Sequence, residues 1–247
     1  MGKQTQIIKL DATDSTNRYL KDRLHSGPLA DHTVVWAENQ RLGRGQMGTI
    51  WQSEPGKNLT FSMLKYFEHL EADRHFLLNM GVSLALCEAL GQFSIPNVKI
   101  KWPNDIMSGN QKICGILIEN ALQGSRLRHS IIGIGLNVNQ EGFGALDRAG
   151  SLKSITGREF DLEHLLGALL GALCSQLGVL ERRRMAELMP AYDALLFRKD
   201  LPSPFKRTNG TNFMGIVRGV GEHGKLLLEE EGGPVREVDL KEVRLLY

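Results

Sequence analysis

The sequence predicts an α+β protein built from two parts, and three observations support this. Two long stretches, 73–92 and 161–188, repeat apolar residues at helical intervals. Short apolar or β-branched runs before and between them are typical of buried strands of one sheet. Beyond Arg198 the pattern changes to short strands separated by glycine-containing turns, which fits a small all-β barrel or sandwich. We therefore expect one domain over residues 1–190 and a second over 198–247.

The first domain should begin with a short strand around residues 7–10. The polar residues 14–17 that follow can cap a helix that begins near Arg18. Residues 33–37 and 58–66 are β-prone and predict two more strands. Glycines recur between them without a sustained period, which predicts a long irregular loop over 38–57. Long loops in compact domains usually carry function.

The remaining elements follow from periodicity and turn residues. The 73–92 helix should bury a stripe formed by Phe76, Met80, Leu84 and Cys87. The 161–188 helix should end before Pro190, because proline interrupts helices. Strands are predicted at 98–101, 113–119 and 131–137, with a tight turn at 108–111, and in the second domain at 213–220, 225–229 and 235–239.

The composition is that of an ordinary globular protein. Of 247 residues 42% are hydrophobic and 23% charged, with a formal net charge of +2, so nucleic acid is not expected as the main partner. The basic run 182–184 is better explained as a solvated helix end. Neither a signal peptide nor an uncharged run of membrane-spanning length is present, so we expect a cytoplasmic chain without membrane attachment. Cys87, Cys114 and Cys174 are odd in number and lack metal-ligand spacing, which favours buried reduced thiols.

The loop 43–48 matches the G-x-G-x-x-G pattern of dinucleotide-binding turns. That pattern must lead directly into a helix, whereas here Pro55 and Gly56 follow closely, which argues against it. An alternative is a mobile loop whose glycines let the backbone approach a ligand, while Arg44 offers a fork of donors to a carboxylate or phosphate. A plain surface loop with an exposed arginine also stays open.

Two further segments are candidates for a site. In 101–105, Trp102 stands beside Asn104 and Asp105, a set suited to a base or a metal, or to an ordinary Asx turn. Lys112 opens the apolar run 113–118 and could reach a phosphate or a developing oxyanion above the sheet, although most such lysines are solvated. The serine-hydrolase elbow, the Walker loop and the zinc-binding His-Glu-x-x-His pair are all missing from the sequence.

Taken in order, these segments resemble the biotin–protein ligase family, in a short form without an N-terminal DNA-binding domain. The resemblance is carried by residues 15–17, 38–48 with Trp51, 101–105, 112–119 and 133–139. It implies a catalytic domain related to class II aminoacyl-tRNA synthetases, with a mixed sheet and helices, and a small SH3-like C-terminal β domain. The implied activity is formation of biotinyl-5'-AMP from biotin and ATP, followed by transfer of biotin to a lysine of a biotin carboxyl carrier protein.

The resemblance also implies a set of site residues. Lys112 and Arg44 are the implied catalytic residues, and Asp105 is a possible Mg²⁺ ligand. The implied biotin contacts are Ser15, Thr16, Asn17, Gln40, Arg44, Gly45, Gln46, Lys112 and Gly115. The implied ATP contacts are Trp51, Asn104, Asp105 and Asn137. Implied partners are a carrier domain and, as one option, a second copy of the chain.

The chain departs from the family pattern at one position. Many relatives carry a second arginine where this sequence has Gln46, so retention of the adenylate is expected to be weaker here. The first motif begins at Asp14, and we therefore do not expect DNA binding. The rival interpretations are a lipoate ligase, an NAD-dependent oxidoreductase built on the glycine loop, and a catalytically silent biotin-binding module.

Overall fold

The computed structural model describes residues 5–182 and 185–247. Arg183 and Arg184 of the basic run, and the first four residues, lie outside that range. Twelve strands and five helices are present in the described residues. The strands are β1 (Ile7–Thr13), β2 (Val34–Gln40), β3 (Leu59–Tyr66), β4 (Val98–Lys101), β5 (Asp105–Ser108), β6 (Gln111–Gln123), β7 (Arg126–Leu136), β8 (Pro202–Arg207), β9 (Asn212–Val220), β10 (Leu226–Glu230), β11 (Val235–Val238) and β12 (Val243–Leu245). The helices are α1 (Thr16–Ser26), α2 (His75–Gln92), α3 (Leu152–Thr156), α4 (Leu162–Val179) and α5 (Met185–Leu195).

Seven strands form a mixed sheet in the order β1-β2-β3-β7-β6-β5-β4. β1 and β2 are parallel, whereas the other neighbours are antiparallel. The predicted α+β class is confirmed. β5 was not predicted as a strand, because only three residues, 102–104, separate it from β4 and none of them is a glycine.

Helices cover the two faces of the sheet unequally. α1 packs on one face, where Leu20 meets Val35, Leu64 and Ile131. The larger core lies on the other face, under α2 and α4. α2 is buried on nearly all sides and not along one stripe, because α4 and α5 cover the side that the sheet leaves open.

The long helical pattern at 161–188 was predicted as one helix, and this was wrong. It is divided into α4, a short 3-10 turn at Leu180–Arg182, and α5. Pro190 lies inside α5, although we expected it to follow the helix. A proline inside a helix sacrifices one backbone hydrogen bond, and burial of Leu188 and Tyr192 in the core offsets that loss.

α4 is long and apolar enough to cross a membrane by length and composition alone, which the sequence analysis did not anticipate. Glu163 interrupts the apolar run near its start without making the helix polar. The helix nevertheless packs against α2 through residues such as Leu169 and Leu173, as core helices of soluble proteins do. Its length is therefore weak evidence for a membrane span.

The C-terminal part is a separate five-stranded antiparallel sheet in the order β11-β10-β9-β8-β12. β9, β10 and β11 agree with the predicted strands within two residues. β8 and β12 were missed, since β8 contains two prolines and β12 is three residues long. We call this unit, residues 202–245, the β domain.

The three cysteines are free thiols. Cys87 and Cys114 are buried as predicted, and burial raises the pKa of Cys87 to about 12. Cys174 is half-buried, so the prediction of a fully buried thiol was wrong there. It lines a surface pocket together with Asp31 and Leu170, so its side chain is incompletely covered.

Candidate active site

A cavity of about 580 Å³ opens on the α1 face of the main sheet. The first turn of α1 borders the cavity, and next to it β6 and β7 carry glycines. Gly115 and Gly135 are paired in register, and Gly133 lies opposite Leu117. A side chain at any of these positions would collide with Trp51 or Asn17, so the glycines let these two residues lie close against the sheet, where they line the cavity.

The first turn of α1 forms one wall. Ser15 caps the helix, and its Oγ accepts from the Arg18 backbone N–H at 3.5 Å. Ser15, Thr16 and Asn17 are at most 5% exposed and line the cavity. The capping role and the site role considered for these residues are therefore compatible.

A buried network fixes these side chains in place. Gln40 Oε1 accepts from both the backbone N–H and the hydroxyl of Thr16, at 2.9 and 3.2 Å. Ser62 Oγ lies 2.7 Å from Thr16 Oγ1 and donates to Asn17 Oδ1 at 2.6 Å. Asn17 Nδ2 donates to Glu119 Oε2 at 2.8 Å. A fully satisfied polar network of this kind holds donors and acceptors in a fixed geometry.

Sequence analysis missed Ser62 and Glu119 as supporting residues. The available signal was polarity, because Ser62 lies between the apolar residues Phe61 and Met63 of β3 and is fully buried. Gly133 also has a role that spacing did not reveal, since a Cβ there would lie within 2.3 Å of Asn17 Oδ1. A larger residue at 133 would displace the Asn17 amide.

The glycine loop lies across the mouth of the cavity. It is pinned by a bridge between Arg44 and Ile50 and by a hydrogen bond from the Gly45 N–H to the Thr49 carbonyl at 2.8 Å. Gly43 packs against the Trp51 backbone so closely that a Cβ would lie 2.3 Å from its carbonyl oxygen. The loop does not lead directly into an α-helix, since the next regular element along the described chain is the strand β3, and this removes the Rossmann interpretation. Arg44 is exposed and forms no hydrogen bond or ion pair with the described residues, so its guanidinium remains available.

Trp51 follows the loop and lies over the glycine floor. A Cβ on Gly135 would come within 2.4 Å of its indole, and one on Gly115 within 3.0 Å. The Nζ of Lys112 lies 5.6 Å from the Trp51 ring centroid. The indole Nε1 is buried and has no hydrogen-bond partner among the described residues. It is therefore a donor that a ligand can satisfy.

Asp105 joins two lysines at the other side of the cavity. Its Oδ1 lies 2.7 Å from Lys112 Nζ, and its Oδ2 lies 3.2 Å from Lys101 Nζ. The Asp105 side chain is 13% exposed. Lys112 is part of β6 and not of the preceding turn, so its side chain is held beside the cavity and is not simply solvated.

The side-chain amides of Asn104 and Asn137 each donate a hydrogen bond to a backbone carbonyl. Asn104 lines the cavity, and its Nδ2 donates to the Ile116 carbonyl on β6 at 2.7 Å. Asn137 is buried and is not part of the cavity lining. Its Nδ2 donates to the Gly150 carbonyl at 3.0 Å, while its Oδ1 has no partner among the described residues. Asn137 is thus the one implied contact that the structure does not bring to the cavity.

The β domain closes the outer end of the cavity. Phe205, Val217, Leu226, Val243 and Arg244 contribute to its lining. Trp102 connects the main domain to the β domain, because its Nε1 donates a hydrogen bond to the Gly224 carbonyl at 2.8 Å. The Trp102 side chain, which the sequence analysis considered as a contact for a base, therefore also joins the two parts of the chain. The participation of the β domain was not predictable from local patterns.

The cavity is electropositive. Among the described residues that line it, Arg44, Lys101, Lys112 and Arg244 are cations, and Asp105 is the one acidic group. Such a surface attracts anions with several negative charges. No cluster of three or more metal-ligating His, Cys, Asp or Glu side chains occurs in the described part of the chain.

Comparison with known proteins identifies the family. The model of the biotin/lipoate A/B protein ligase family matches residues 10–137, from β1 through β7. This chain belongs to that family. The matched region contains the α1 turn, the glycine loop and the 101–112 segment, and these parts of the biotin/lipoate ligase fold line the cavity.

Individual relatives extend the similarity beyond the family model. The bifunctional ligase/repressor BirA of Escherichia coli is 30% identical over 236 residues, covering 92% of this chain and 70% of BirA. The biotin–[acetyl-CoA-carboxylase] ligase of Paracoccus denitrificans is 30% identical over 232 residues, covering 91% of this chain and 94% of that ligase. The structure of the Aquifex aeolicus biotin protein ligase in complex with biotin and ATP matches with a TM-score of 0.79 at 27% identity, covering 98% of this chain and 99% of that one. This last match includes the β domain.

Proposed function

We propose that the chain is a biotin–protein ligase that makes biotinyl-5'-AMP from biotin and ATP and transfers biotin to a lysine of a biotin carboxyl carrier domain. The observation that carries the proposal is the glycine-floored, electropositive cavity in a chain whose relatives of similar length are named biotin ligases. Its apolar floor suits a ring system, and its cations suit a carboxylate and phosphates.

On the biotin side, the polar network at the start of α1 offers directional hydrogen bonds. Ser15, Thr16 and Asn17 lie at one end of the cavity and Lys112 at the other, with the glycine floor between them. An uncharged ring with polar atoms fits the first end, and its carboxylate fits the second. The proposed biotin contacts are Ser15, Thr16, Asn17, Gln40, Arg44, Gly45, Gln46, Lys112 and Gly115.

On the nucleotide side, Trp51, Asn104 and Asp105 are the proposed contacts. Trp51 offers an aromatic face and a free indole N–H. Asn137 is proposed to act indirectly, because it fixes the Gly150 carbonyl and so the segment that pairs with the Lys112 backbone.

In the first step a biotin carboxylate oxygen bonds to the α-phosphorus of ATP, and the bond from that phosphorus to the departing pyrophosphate breaks. Two anions must approach each other, so the chain's task is to position them and to balance their charge. Lys112 and Arg44 are the proposed catalytic residues, since both line the cavity and their basic side chains can offset the negative charge of the reacting groups.

In the second step the acceptor lysine amine bonds to the acyl carbon, AMP leaves with the carboxyl oxygen, and the amine loses a proton to solvent. Negative charge develops on the acyl oxygen as the bond forms. Lys112 is placed to stabilise it, because its ammonium is held by Asp105 at the edge of the cavity.

Mg²⁺ is proposed to accompany ATP. Asp105 would hold it together with the phosphates, since one or two carboxylates are enough in sites where Mg²⁺ is bound with substrate phosphates. Both Asp105 oxygens face lysines, and a metal contact would exchange one of these ion pairs. When bound, Mg²⁺ neutralises phosphate charge.

The proposed macromolecular partner is a carrier domain in the cytoplasm, and neither DNA nor a membrane is part of the proposal. Homodimer formation is proposed as an option. The outer edge of β1 is unpaired in the described chain, which leaves backbone donors and acceptors for another strand.

The decisive experiment is biotin transfer to a purified carrier domain, followed by intact mass. A mass gain on the acceptor lysine that requires biotin and ATP supports the proposal. The same reaction with lipoate in place of biotin tests whether the chain is instead a lipoate ligase, the other activity named for this family. Transfer of lipoate but not biotin would overturn the assignment.

A further inference from the structure

Glu119 stands at the outer end of a chain of polar contacts that reaches the cavity wall. In spatial order the chain runs through Glu119, Asn17, Ser62, Thr16 and Gln40, and we call it the polar chain. Its successive contacts, starting from Glu119, are 2.8, 2.6, 2.7 and 3.2 Å long. Asn17, Ser62 and Thr16 are at most 4% exposed, whereas Glu119 is exposed on β6 and does not line the cavity. Glu119 is the one charged member of the polar chain.

Glu119 fixes the orientation of the Asn17 amide. The Asn17 Nδ2 donates to Glu119 Oε2 and also, at 3.3 Å, to the Leu117 carbonyl. Carboxylate and carbonyl oxygens can only accept hydrogen bonds. A flipped amide would place Asn17 Oδ1 against both of these acceptors, which is costly for a buried group. Asn17 Oδ1 is therefore directed to Ser62.

This orientation determines where the hydroxyl protons of the polar chain point. Ser62 has one proton and two oxygen neighbours within 2.7 Å, so only one of those contacts can use it. Because Asn17 Oδ1 can only accept, the Ser62 proton goes to Asn17. The contact between the two hydroxyls must then use the Thr16 proton, which Ser62 shares with the more distant Gln40 Oε1.

The opposite proton direction would satisfy the same hydroxyls. With the Asn17 amide flipped, its Nδ2 would donate to Ser62, Ser62 to Thr16, and Thr16 to Gln40. The Glu119 carboxylate therefore selects one of two self-consistent directions. In the selected direction Thr16 Oγ1 receives no proton from the chain and keeps its acceptor capacity for a ligand, whereas in the opposite direction Ser62 would occupy part of it.

We propose that Glu119 is a positioning residue that acts through Asn17 and makes the Thr16 hydroxyl an acceptor for a ring N–H of biotin. The inference rests on the proposed function, in which Thr16 contacts biotin. The cyclic urea of biotin carries two N–H donors, whereas the disulfide ring of lipoate carries none. Glu119 thereby contributes to ring specificity although it lies outside the cavity lining.

The test changes the hydrogen-bonding character of residue 119 in two steps. Glu119→Gln can either accept or donate, so it no longer selects a direction, and Glu119→Lys can only donate, so it favours the flipped amide. Biotin and ATP binding are measured separately by calorimetry, together with the kinetics of biotin-dependent pyrophosphate exchange. The matched control is Glu88→Lys, which makes the same charge change at an exposed residue of α2, on the other face of the sheet.

Biotin binding should weaken about threefold in Glu119→Gln and about tenfold in Glu119→Lys, while ATP binding stays within about twofold of wild type. In the exchange reaction the KM for biotin should rise by the same factors, and kcat at saturating biotin should change by less than about twofold, because the lost contact is made in the ground state as well. Glu88→Lys should match wild type in every measurement.

A second substitution tests the direction of the polar chain itself. In Asn17→Asp combined with Glu119→Lys, the new carboxylate accepts from Ser62 and from the new ammonium, which restores the wild-type direction with the charges exchanged. This double variant should bind biotin within about threefold of wild type. Asn17→Asp alone should lose more than about tenfold, because two carboxylates then face each other.

Wild-type biotin affinity in Glu119→Lys would overturn the proposal, and residue 119 is exposed enough to be changed without a folding defect. Equal weakening of biotin and ATP binding would also overturn it, as would a double variant whose loss is the product of the two single losses. Wild type that binds no biotin would refute the proposed function itself. Normal biotin binding by wild type with unaffected variants would refute the role of Glu119 alone.

Discussion

Lys112 shows how much a single side chain depends on its surroundings. Position in the sequence favours a solvated lysine, because most lysines near strand ends are exposed. In the structure its ammonium lies 2.7 Å from the Asp105 carboxylate and beside the Trp51 ring. The side chain is therefore held at the cavity edge before substrates arrive, which reduces the entropy cost of ordering it in the reaction.

Lys112→Ala should fold normally and lose most turnover. Loss of one preorganised charge at a developing oxyanion is worth about 10²- to 10³-fold in rate. The measurement is biotin-dependent pyrophosphate exchange together with transfer to the carrier domain. Lys99→Ala is the control, because Lys99 donates to the Ala194 carbonyl and does not line the cavity. Wild-type activity in Lys112→Ala would remove the catalytic assignment.

Gln46 lines the cavity at the position where the resemblance to the family leads us to expect a second arginine. Its Oε1 is buried without a partner among the described residues, so the amide is poorly satisfied. Gln46→Arg should retain the adenylate about tenfold longer, because a permanent charge can pair with its phosphate. Release of biotinyl-5'-AMP from the enzyme is the measurement. Gln52→Arg adds the same charge in the same loop outside the cavity lining, and equal retention in both variants would contradict the prediction.

At the scale of elements, the pairing of β6 with β7 creates the cavity floor. Register places Gly115 opposite Gly135, and a shift of one residue would place Cys114 and Ile134 on that face. The same alternation sends Ile116 and Ile134 into the main core. Core packing on one face therefore fixes the ligand space on the other.

Asp31 anchors the turn before β2 to β3, and its pairing predicts a pH-dependent stability. Burial raises the pKa of Asp31, but hydrogen bonds from Lys65 and the Tyr66 N–H, both at 2.8 Å, outweigh it and lower the pKa overall. A lowered folded-state pKa stabilises the protein above the ordinary carboxyl pKa of about 4, and this stabilisation is lost as pH falls through the folded value.

Asp31→Asn should lower the free energy of unfolding by about 2 kcal/mol at pH 7, since it leaves Lys65 buried without a charge partner. Urea unfolding between pH 3 and 8 measures this, and the difference from wild type should shrink below about pH 4. Asp22→Asn is the control, because Asp22 pairs with Arg18 at 3.8 Å on the surface and should change stability by less than about 0.5 kcal/mol. A difference that is constant with pH would contradict the assignment.

The glycine loop should order further when ligands bind. Met47 and Ile50 are 66% and 74% exposed in the ligand-free chain, so closure over a ligand would bury them and exclude water from the adenylate. Cleavage by a lysine-specific protease after Lys57, an exposed turn residue at the end of the loop, should slow with biotin and ATP. Cleavage after Lys225, an exposed residue between β9 and β10 of the β domain, serves as the internal control. Unchanged cleavage after Lys57 would argue against closure.

For the whole molecule, the site depends on how the β domain sits against the main sheet. The Trp102 to Gly224 hydrogen bond joins the two parts directly above the cavity. Phe76 of α2 also packs so closely on Gly224 that a Cβ there would lie within 2.3 Å of its ring. The outer wall of the cavity, which the β domain supplies, depends on this contact.

Trp102→Phe should loosen the β domain by about 1 kcal/mol, the net value of one hydrogen bond. Native-state hydrogen exchange in β9 and β10 should become faster, while exchange in β2 and β3 should not change. Trp36→Phe is the matched control, because the Trp36 Nε1 is buried without a partner among the described residues and loses no bond. Uniform acceleration in both sheets would show that Trp102 acts through global stability.

The sequence by itself determined the α+β class, the positions of most strands and the family. Periodicity and turn residues report local burial, and the ordered motifs specify the family because they are far more specific together than singly. The tertiary structure alone decided that Pro190 lies inside a helix, that Asn137 is kept from the cavity, and that the β domain completes the site. Those outcomes depend on contacts between residues distant in the chain, such as Trp102 with Gly224 and Tyr247 with Lys101, which local pattern does not encode.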